Sequence, residues 1–338
     1  DYSLSACYLI TEDIDLEGDA ENQWDPIGAK TSSDTQFTGT IDGDGHTISG
    51  FYYYGDYNNA YYGFIGILGS GGHITNLTVE GSFTLDILSY GYSIYTGGVA
   101  GNVVSTAKVT NCTNKIALTF SGLATYACPM GGIAGNNSGT IQYCRNQASI
   151  SSISYSGGIV GYNYGSIDQS YNEGSLTAVY NSGAINCGGI AGTNGTSSSS
   201  GTVTRCYNTA ASISLTGVAA DTSNNIYIGG VVGYLRTSLC SITATYSTST
   251  ISVADAAGSA TYLGALVGYS AGPVSYSYAM QEVSSALFGT TATGHSATTC
   301  ETFSTGADIT AMLNAAYDID YWINGTSESA PILKYFEY

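Results

Sequence analysis

Basic side chains are the scarcest feature of this 338-residue chain: seven Lys and Arg stand against 25 Asp and Glu, a net charge of −18. A surface this acidic repels phosphate backbones and anionic headgroups, which argues against nucleic acid or a membrane surface as partner. Charged residues of both signs make up only 9% of the chain, whereas aromatics reach 12%. Disordered chains show the reverse balance, so that class is excluded. No run approaches the roughly 20 apolar residues that cross a bilayer as a helix. No secretory signal is visible, which is uninformative in a chain that begins at Asp1. Zinc-type Cys-x-x-Cys or Cys/His spacing is missing. Eight cysteines in so long a chain do not read as a disulfide scaffold.

What the chain has instead is repetition. GGVAG (97–101), GGIAG (131–135), GGIVG (157–161), GGIAG (188–192), GGVVG (229–233) and GALVG (264–268) recur, after a degenerate first copy, YGFIG (62–66). Each is followed by a string opening on Ile or Val: ITNLTV (74–79), VTNCTN (109–114), IQYCRN (141–146), IDQSYN (167–172), VTRCYN (203–208), ITATYS (242–247) and VSYSYA (274–279). Seven copies spaced by roughly 26–41 residues mark a solenoid, in which each unit shares a core with its neighbours. A third strand-like run follows in each unit, such as Gly174-Ser175-Leu176-Thr177. Short strands with Gly, Asn and Ser at the corners predict an all-β, right-handed parallel β-helix with three sides.

Stacking of equivalent positions then assigns columns. Leu77, Cys112, Cys144, Ser170, Cys206, Thr245 and Ser277 form one that accepts small or apolar residues, as an inward ladder does. Cys112 and Cys144 are rung neighbours, but their parallel Cβ vectors disfavour a bridge, so free buried thiols are expected. Asn114, Asn146, Asn172 and Asn208 read as a corner ladder, because Asn tolerates left-handed backbone. Tyr171, Tyr207, Tyr246 and Tyr278 form an outward column beside it. The second apolar residue of each glycine string (Ala100, Ala134, Val160, Ala191, Val232, Val267) either forms a flat strip for self-association or turns inward at a corner.

Residues 1–60 are expected to form the first rungs and cover the N-terminal end, whose backbone groups would otherwise be unpaired. Residues 61–299 hold the repeats. Residues 300–338 are expected to be a C-terminal cap, with Asp308 starting a short helix over 309–317. Insertions gather at one place in the repeat (86–95, 122–129, 218–226, 254–260), and a loop edge of this kind is a place to bind.

The recurring GG[IV][AV]G with its I-x-x-C-x-N partner resembles the GLUG-motif repeat of bacterial surface and adhesin-like proteins. YLITEDIDLEGD (8–19), WDPIG (24–28), FTGTIDGDGHTISG (37–50) and WINGTSESAPILK (322–334) are similar to the opening and tail of such proteins. Ala265 in place of Gly, and the missing Asn after Tyr246 and Tyr278, depart from the pattern. The resemblance implies a secreted, surface-displayed β-solenoid and no defined ligand.

Candidate chemistry is sparse. Asp42-Gly43-Asp44-Gly45, with Asp13 and Asp15 nearby, is either a cation loop lacking the distal Glu of an EF-hand or a tight turn. His46, His73 and His295 lie far apart, which disfavours a Ser/His/Asp or Cys/His site. Thr75, Thr110, Thr204 and Thr243 share a column that Gln142 and Asp168 interrupt, so an unbroken Thr array is not formed. Thirty tyrosines are the strongest pointer, since Tyr offers an apolar face and a polar tip. The expectation is a non-enzymatic extracellular binding, adhesion or spacer module without cofactor. It would bind a host glycan or an extracellular protein through Tyr171, Tyr207, Tyr246, Tyr278, Tyr57, Tyr61 and Tyr62. A polysaccharide lyase or hydrolase, needing carboxylates paired across a groove, and a purely structural stalk are the alternatives.

Overall fold

Residues 155–179 show how one repeat becomes a coil. Tyr155–Gly157 is extended, Gly158 and Ile159 turn the chain, and Val160–Asn163 leaves as a second strand. Ser166–Asp168 makes the third side; Tyr171–Asn172 and Leu176–Val179 make the fourth. In this computed structural model every one of these strands pairs in parallel with its equivalents one coil before and one coil after. Ser156 lies between Met130 and Cys187, Val160 between Ala134 and Ala191, Ile167 between Ile141 and Val203, and Asn172 between Asn146 and Asn208. The stack is a parallel β-helix, and its four sheets are called here faces 1 to 4 in the order just given. The structure describes residues 3–29, 35–55, 60–87, 93–122, 127–179, 184–217, 224–253, 260–280, 286–292, 295–298, 300–303, 322–323 and 332–334.

Four faces, where three were expected, follow from the glycine string. It is a bend between two strands: Met130–Gly131 belongs to face 1 and Ala134–Asn137 to face 2. Both apolar residues of the string, for example Ile133 and Ala134, are fully buried in the core. The strip considered for self-association is therefore turned inward and offers no outer surface. The second glycine is fixed by what it faces. A Cβ at Gly98, Gly132, Gly158 or Gly189 would overlap the side chain of Asn114, Asn146, Asn172 or Asn208 respectively. In the last repeat, where Ala265 replaces the glycine, Ala279 replaces the asparagine. The two departures are one compensated change.

Those asparagines are not at a left-handed corner. They lie inside, and each amide nitrogen donates to the next amide oxygen: Asn114 to Asn146 at 2.8 Å, Asn146 to Asn172 at 2.8 Å and Asn172 to Asn208 at 2.9 Å. A second internal run joins Asn137, Asn163 and Asn194 at 2.8 and 2.7 Å. Positive φ falls three residues earlier, between faces 3 and 4, at Asn76, Asn111, Tyr143, Gln169, Arg205, Ala244 and Tyr276. Left-handed backbone costs a non-glycine residue about 1–2 kcal/mol. The turn is imposed there so that the next residue, the Cys112/Cys144/Cys206 column, points into the core. The cysteines are free, and Cys112, Cys144 and Cys206 each lie within sulfur hydrogen-bond range of backbone carbonyls.

The opening residues contribute rungs: Cys7–Leu9 pairs with Thr40–Asp42 on face 3, and Ile14–Asp15 pairs with Thr47–Gly55 on face 4. Trp24 closes the core there edge-on to Phe51 at 4.9 Å, its Nε1 donating to the Gly63 carbonyl at 3.1 Å. Toward the C-terminus Trp322–Ile323 and Ile332–Leu333 form an antiparallel pair. The helix expected over 309–317, and most of the insertions, lie outside the described residues. No helix among the described residues is long and apolar enough to cross a membrane.

Candidate functional site

The tyrosines singled out from the sequence separate into three fates. Tyr171, Tyr207, Tyr246 and Tyr278 do point away from the core, but they are buried, at 0–4% exposure. Their rings stack, Tyr171 on Tyr207 at 4.5 Å and Tyr207 on Tyr246 at 5.3 Å. Trp322 and Leu333 cover them in a second hydrophobic cluster. Contact with a chain end more than 40 residues away leaves no trace in the repeat, so an outward column read as a free surface. Tyr62 is also buried, against Tyr53 at 5.1 Å, while Tyr61 is half-buried on face 1, stacked on Tyr95 at 5.3 Å. Tyr57 lies outside the described residues.

The acidic residues near the N-terminus serve turns. Asp13 Oδ1 accepts from the Thr47 amide at 2.9 Å and contacts His46 Nδ1 at 3.1 Å. The Thr47 hydrogen bond, more than the imidazole, holds that carboxyl below its ordinary range. Asp42 Oδ1 accepts from the Asp44 amide at 3.0 Å and from Asn76 Nδ2 at 2.9 Å, and Asp44 itself takes positive φ. Among the described residues no group of three or more His, Cys, Asp and Glu is placed to hold a metal.

A different set of tyrosines is half-exposed. Two outward columns flank the glycine bend, one on face 1 two residues before the string's first glycine and one on face 2 directly after its last glycine. On face 1 the column runs Tyr61, Tyr95, Pro129, Tyr155, Asn186, Tyr227 and Tyr262. On face 2 it runs Asn102, Asn136, Tyr162, Thr193, Tyr234 and Tyr269. Across the bend the columns touch: Tyr155 meets Tyr162 at 4.9 Å and Tyr227 meets Tyr234 at 5.1 Å. Along the axis Tyr227 stacks on Tyr262 at 5.2 Å and Tyr234 on Tyr269 at 4.5 Å.

One coil lacks a ring in both columns while the coils on either side carry both. Asn186 and Thr193 stand where the coils on either side carry Tyr155 with Tyr162 and Tyr227 with Tyr234. Successive parallel strands are about 4.8 Å apart, so a missing ring leaves about 9.6 Å between the flanking rungs. The result is a notch of about 370 Å³ lined by Tyr155, Tyr162, Asn186, Thr193, Tyr227 and Tyr234, with Asn225 and Arg236 among the residues at its edge. Small-ligand sites begin near this volume. Its floor is polar and set, since Asn186 Nδ2 donates to Thr193 Oγ1 at 2.9 Å, and at the rim Asn225 Nδ2 donates to the Tyr227 hydroxyl at 2.8 Å.

Three of the wall phenols hold their protons more tightly than a free tyrosine. Burial pushes the Tyr162 phenol far above its usual range and raises those of Tyr227 and Tyr234. Tyr164, beside Tyr162, is pushed up to about 12 by burial, partly opposed by the Arg236 charge. These hydroxyls stay protonated at neutral pH and act as hydrogen-bonding groups on flat apolar rings. The sequence carried the signal in Tyr-x-Gly-Gly-x-x-Gly-Tyr, found at 155–162, 227–234 and 262–269 with Ala in the second glycine place of the last, and broken at 186–193.

Fold and site thus define a parallel β-helix with a tyrosine-walled notch. No protein-family model matches the chain. Over 111 residues, 30% of the chain, it is 34% identical to halomucin of Haloquadratum walsbyi (strain DSM 16790 / HBSQ001), and the match spans about 1% of that protein's length. The crystal structure of a Bacteroides ovatus protein, described there as a candidate immunoglobulin A1 protease, superposes with a TM-score of 0.56. That superposition covers 99% of this chain and 88% of the other at 21% sequence identity, a likeness of fold.

Proposed function

We propose that the chain is a non-enzymatic binding module of an extracellular surface protein, and that it grips carbohydrate in the notch. The observation that carries this reading is the double interruption at Asn186 and Thr193. It leaves Tyr155 and Tyr162 in the coil on one side of the gap and Tyr227 and Tyr234 in the coil on the other, with amide and hydroxyl groups between them. A sugar ring presents apolar C–H faces and a rim of hydroxyls, and this arrangement complements both. The GLUG-like repeats, and similarity over part of the chain to halomucin, support display outside the cell. Among the described residues neither a carboxylate nor a histidine lines the notch, and burial raises the phenol pKa of Tyr162, Tyr227 and Tyr234, which favours binding over hydrolysis.

A glycan panel read with the purified chain tests this. Oligosaccharide binding is expected, weakened at least about tenfold by Tyr227→Ala, a loss of one stacking wall worth about 1.4 kcal/mol. Thermal stability should change little, because the ring is half-exposed. Cleavage of a polysaccharide, or binding that ignores Tyr227→Ala, would refute it.

A further inference from the structure

Among the described residues that line the notch of the proposed function one is charged, and its sign is the rare one. Arg236 is exposed at the edge of the cavity, among seven Lys and Arg in a chain carrying 25 Asp and Glu. It directly follows Val232–Leu235 on face 2, and its backbone amide donates to the Asn194 carbonyl at 3.2 Å, which anchors its base to the ring-free coil. Its equivalents in the two preceding coils are Gly195 and Tyr164, each tied by its amide to the coil beneath. The interruption therefore extends to a third outward position. Gly195 lies between Tyr164 and Arg236, as Thr193 lies between Tyr162 and Tyr234. Among the described residues Arg236 pairs with no carboxylate, whereas Arg205 is bound bidentately by Asp168.

Resting on the carbohydrate reading, the geometry points to a saccharide that carries a carboxylate, a hexuronate type of ring, held between the tyrosine walls with its acid group on Arg236. A guanidinium offers a planar fork that matches a carboxylate, and such pairs gain strength where aromatic walls exclude water. Four tyrosines around one cavity could equally cage an alkylammonium ion. Arg236 among the lining residues, with no Asp or Glu beside it among the described residues, opposes that occupant. The overall charge of −18 does not decide the matter, since at 0.15 M salt charges beyond about 8 Å are largely screened.

The test compares matched oligosaccharides at 0.15 M NaCl by calorimetry: galacturonate oligomers against their methyl esters, and glucuronate-containing oligomers against glucose ones, with choline as the cationic probe. The expected result is that the acids bind at least about tenfold more tightly than their neutral partners. Arg236→Gln should abolish that preference, and Tyr227→Ala should weaken acid and neutral sugars alike. Equal affinity for acid and neutral forms, a preference that survives Arg236→Gln, or stronger binding of choline overturns the inference. Of these, the first two leave the notch standing as a sugar site. Absence of binding to any saccharide overturns the inference together with the reading beneath it.

Discussion

Replacing Asn146 with alanine removes four hydrogen bonds from the interior of the stack. Two are ladder bonds, from Asn114 Nδ2 at 2.8 Å and to Asn172 Oδ1 at 2.8 Å; two are to the Ala148 backbone, whose carbonyl accepts at 2.9 Å and whose amide donates at 3.3 Å. The neighbouring asparagines keep second partners, because Asn114 Nδ2 still reaches the Ile116 carbonyl and Asn172 Oδ1 still accepts from the Gly174 amide. The Ala148 amide and carbonyl keep none of the side-chain bonds that satisfied them. Each buried group so orphaned costs about 1–3 kcal/mol, so Asn146→Ala should destabilise the chain by about 2–6 kcal/mol. Coils couple chiefly to their neighbours, so the damage should be regional. Denaturant melts give the magnitude, and hydrogen exchange should quicken around 114–176 before it does near the N-terminal coils. Asn146→Asp keeps the acceptors, loses both donations and buries a charge beside Asn172 Oδ1, so it should cost at least as much at neutral pH. Its deficit should shrink on acidification, when the protonated carboxyl regains a donor. A loss below about 1 kcal/mol for Asn146→Ala, with exchange unchanged, would refute the view that the ladder organises the interior.

Further outcomes follow from the same packing. Gly132→Ala drives a Cβ into the Asn146 amide and the Gly158 carbonyl and should cost about 1–3 kcal/mol or more in melts, whereas Ala265→Gly, in the coil whose asparagine position holds Ala279, should stay within about 1 kcal/mol. Trp322→Ala uncovers Tyr207 and Tyr246, 6.1 and 5.7 Å from the indole, and should lower stability by about 3–5 kcal/mol while leaving the coils' parallel pairing intact by circular dichroism. In native thiol titration exposed Cys7 should react first and the buried Cys112, Cys128, Cys144, Cys187, Cys206 and Cys240 only on unfolding. Burial pushes Cys128 and Cys187 from the ordinary 9.0 up to about 11. Their stabilising contribution is thus complete below pH 9 and lost as pH rises through 11, so the midpoint of urea unfolding should fall across that window.

Much of the fold was legible because a solenoid writes its periodicity into the chain. Glycine strings and the inward Cys column each located a strand or bend to within a residue or two. The asparagine column was recognised as a ladder but put at the wrong backbone conformation. Asn is equally suited to a left-handed turn and to an internal amide chain, and only the fit of Gly132 against Asn146 separates them. The tyrosine column 171–278 failed for another reason: what covers it comes from the chain terminus, outside the repeat. The notch was hardest to see, because it is made by what one coil lacks. Asn186 and Thr193 are unremarkable residues until register sets them between Tyr155 and Tyr227 and between Tyr162 and Tyr234.

Restoring the missing ring tests this most directly. Thr193→Tyr continues the column of Tyr162 and Tyr234 and occupies the cavity from within. Oligosaccharide affinity measured on this variant should vanish while the melting temperature holds or rises. Undiminished affinity in a folded Thr193→Tyr chain would contradict the account, since the ligand would then be bound somewhere else.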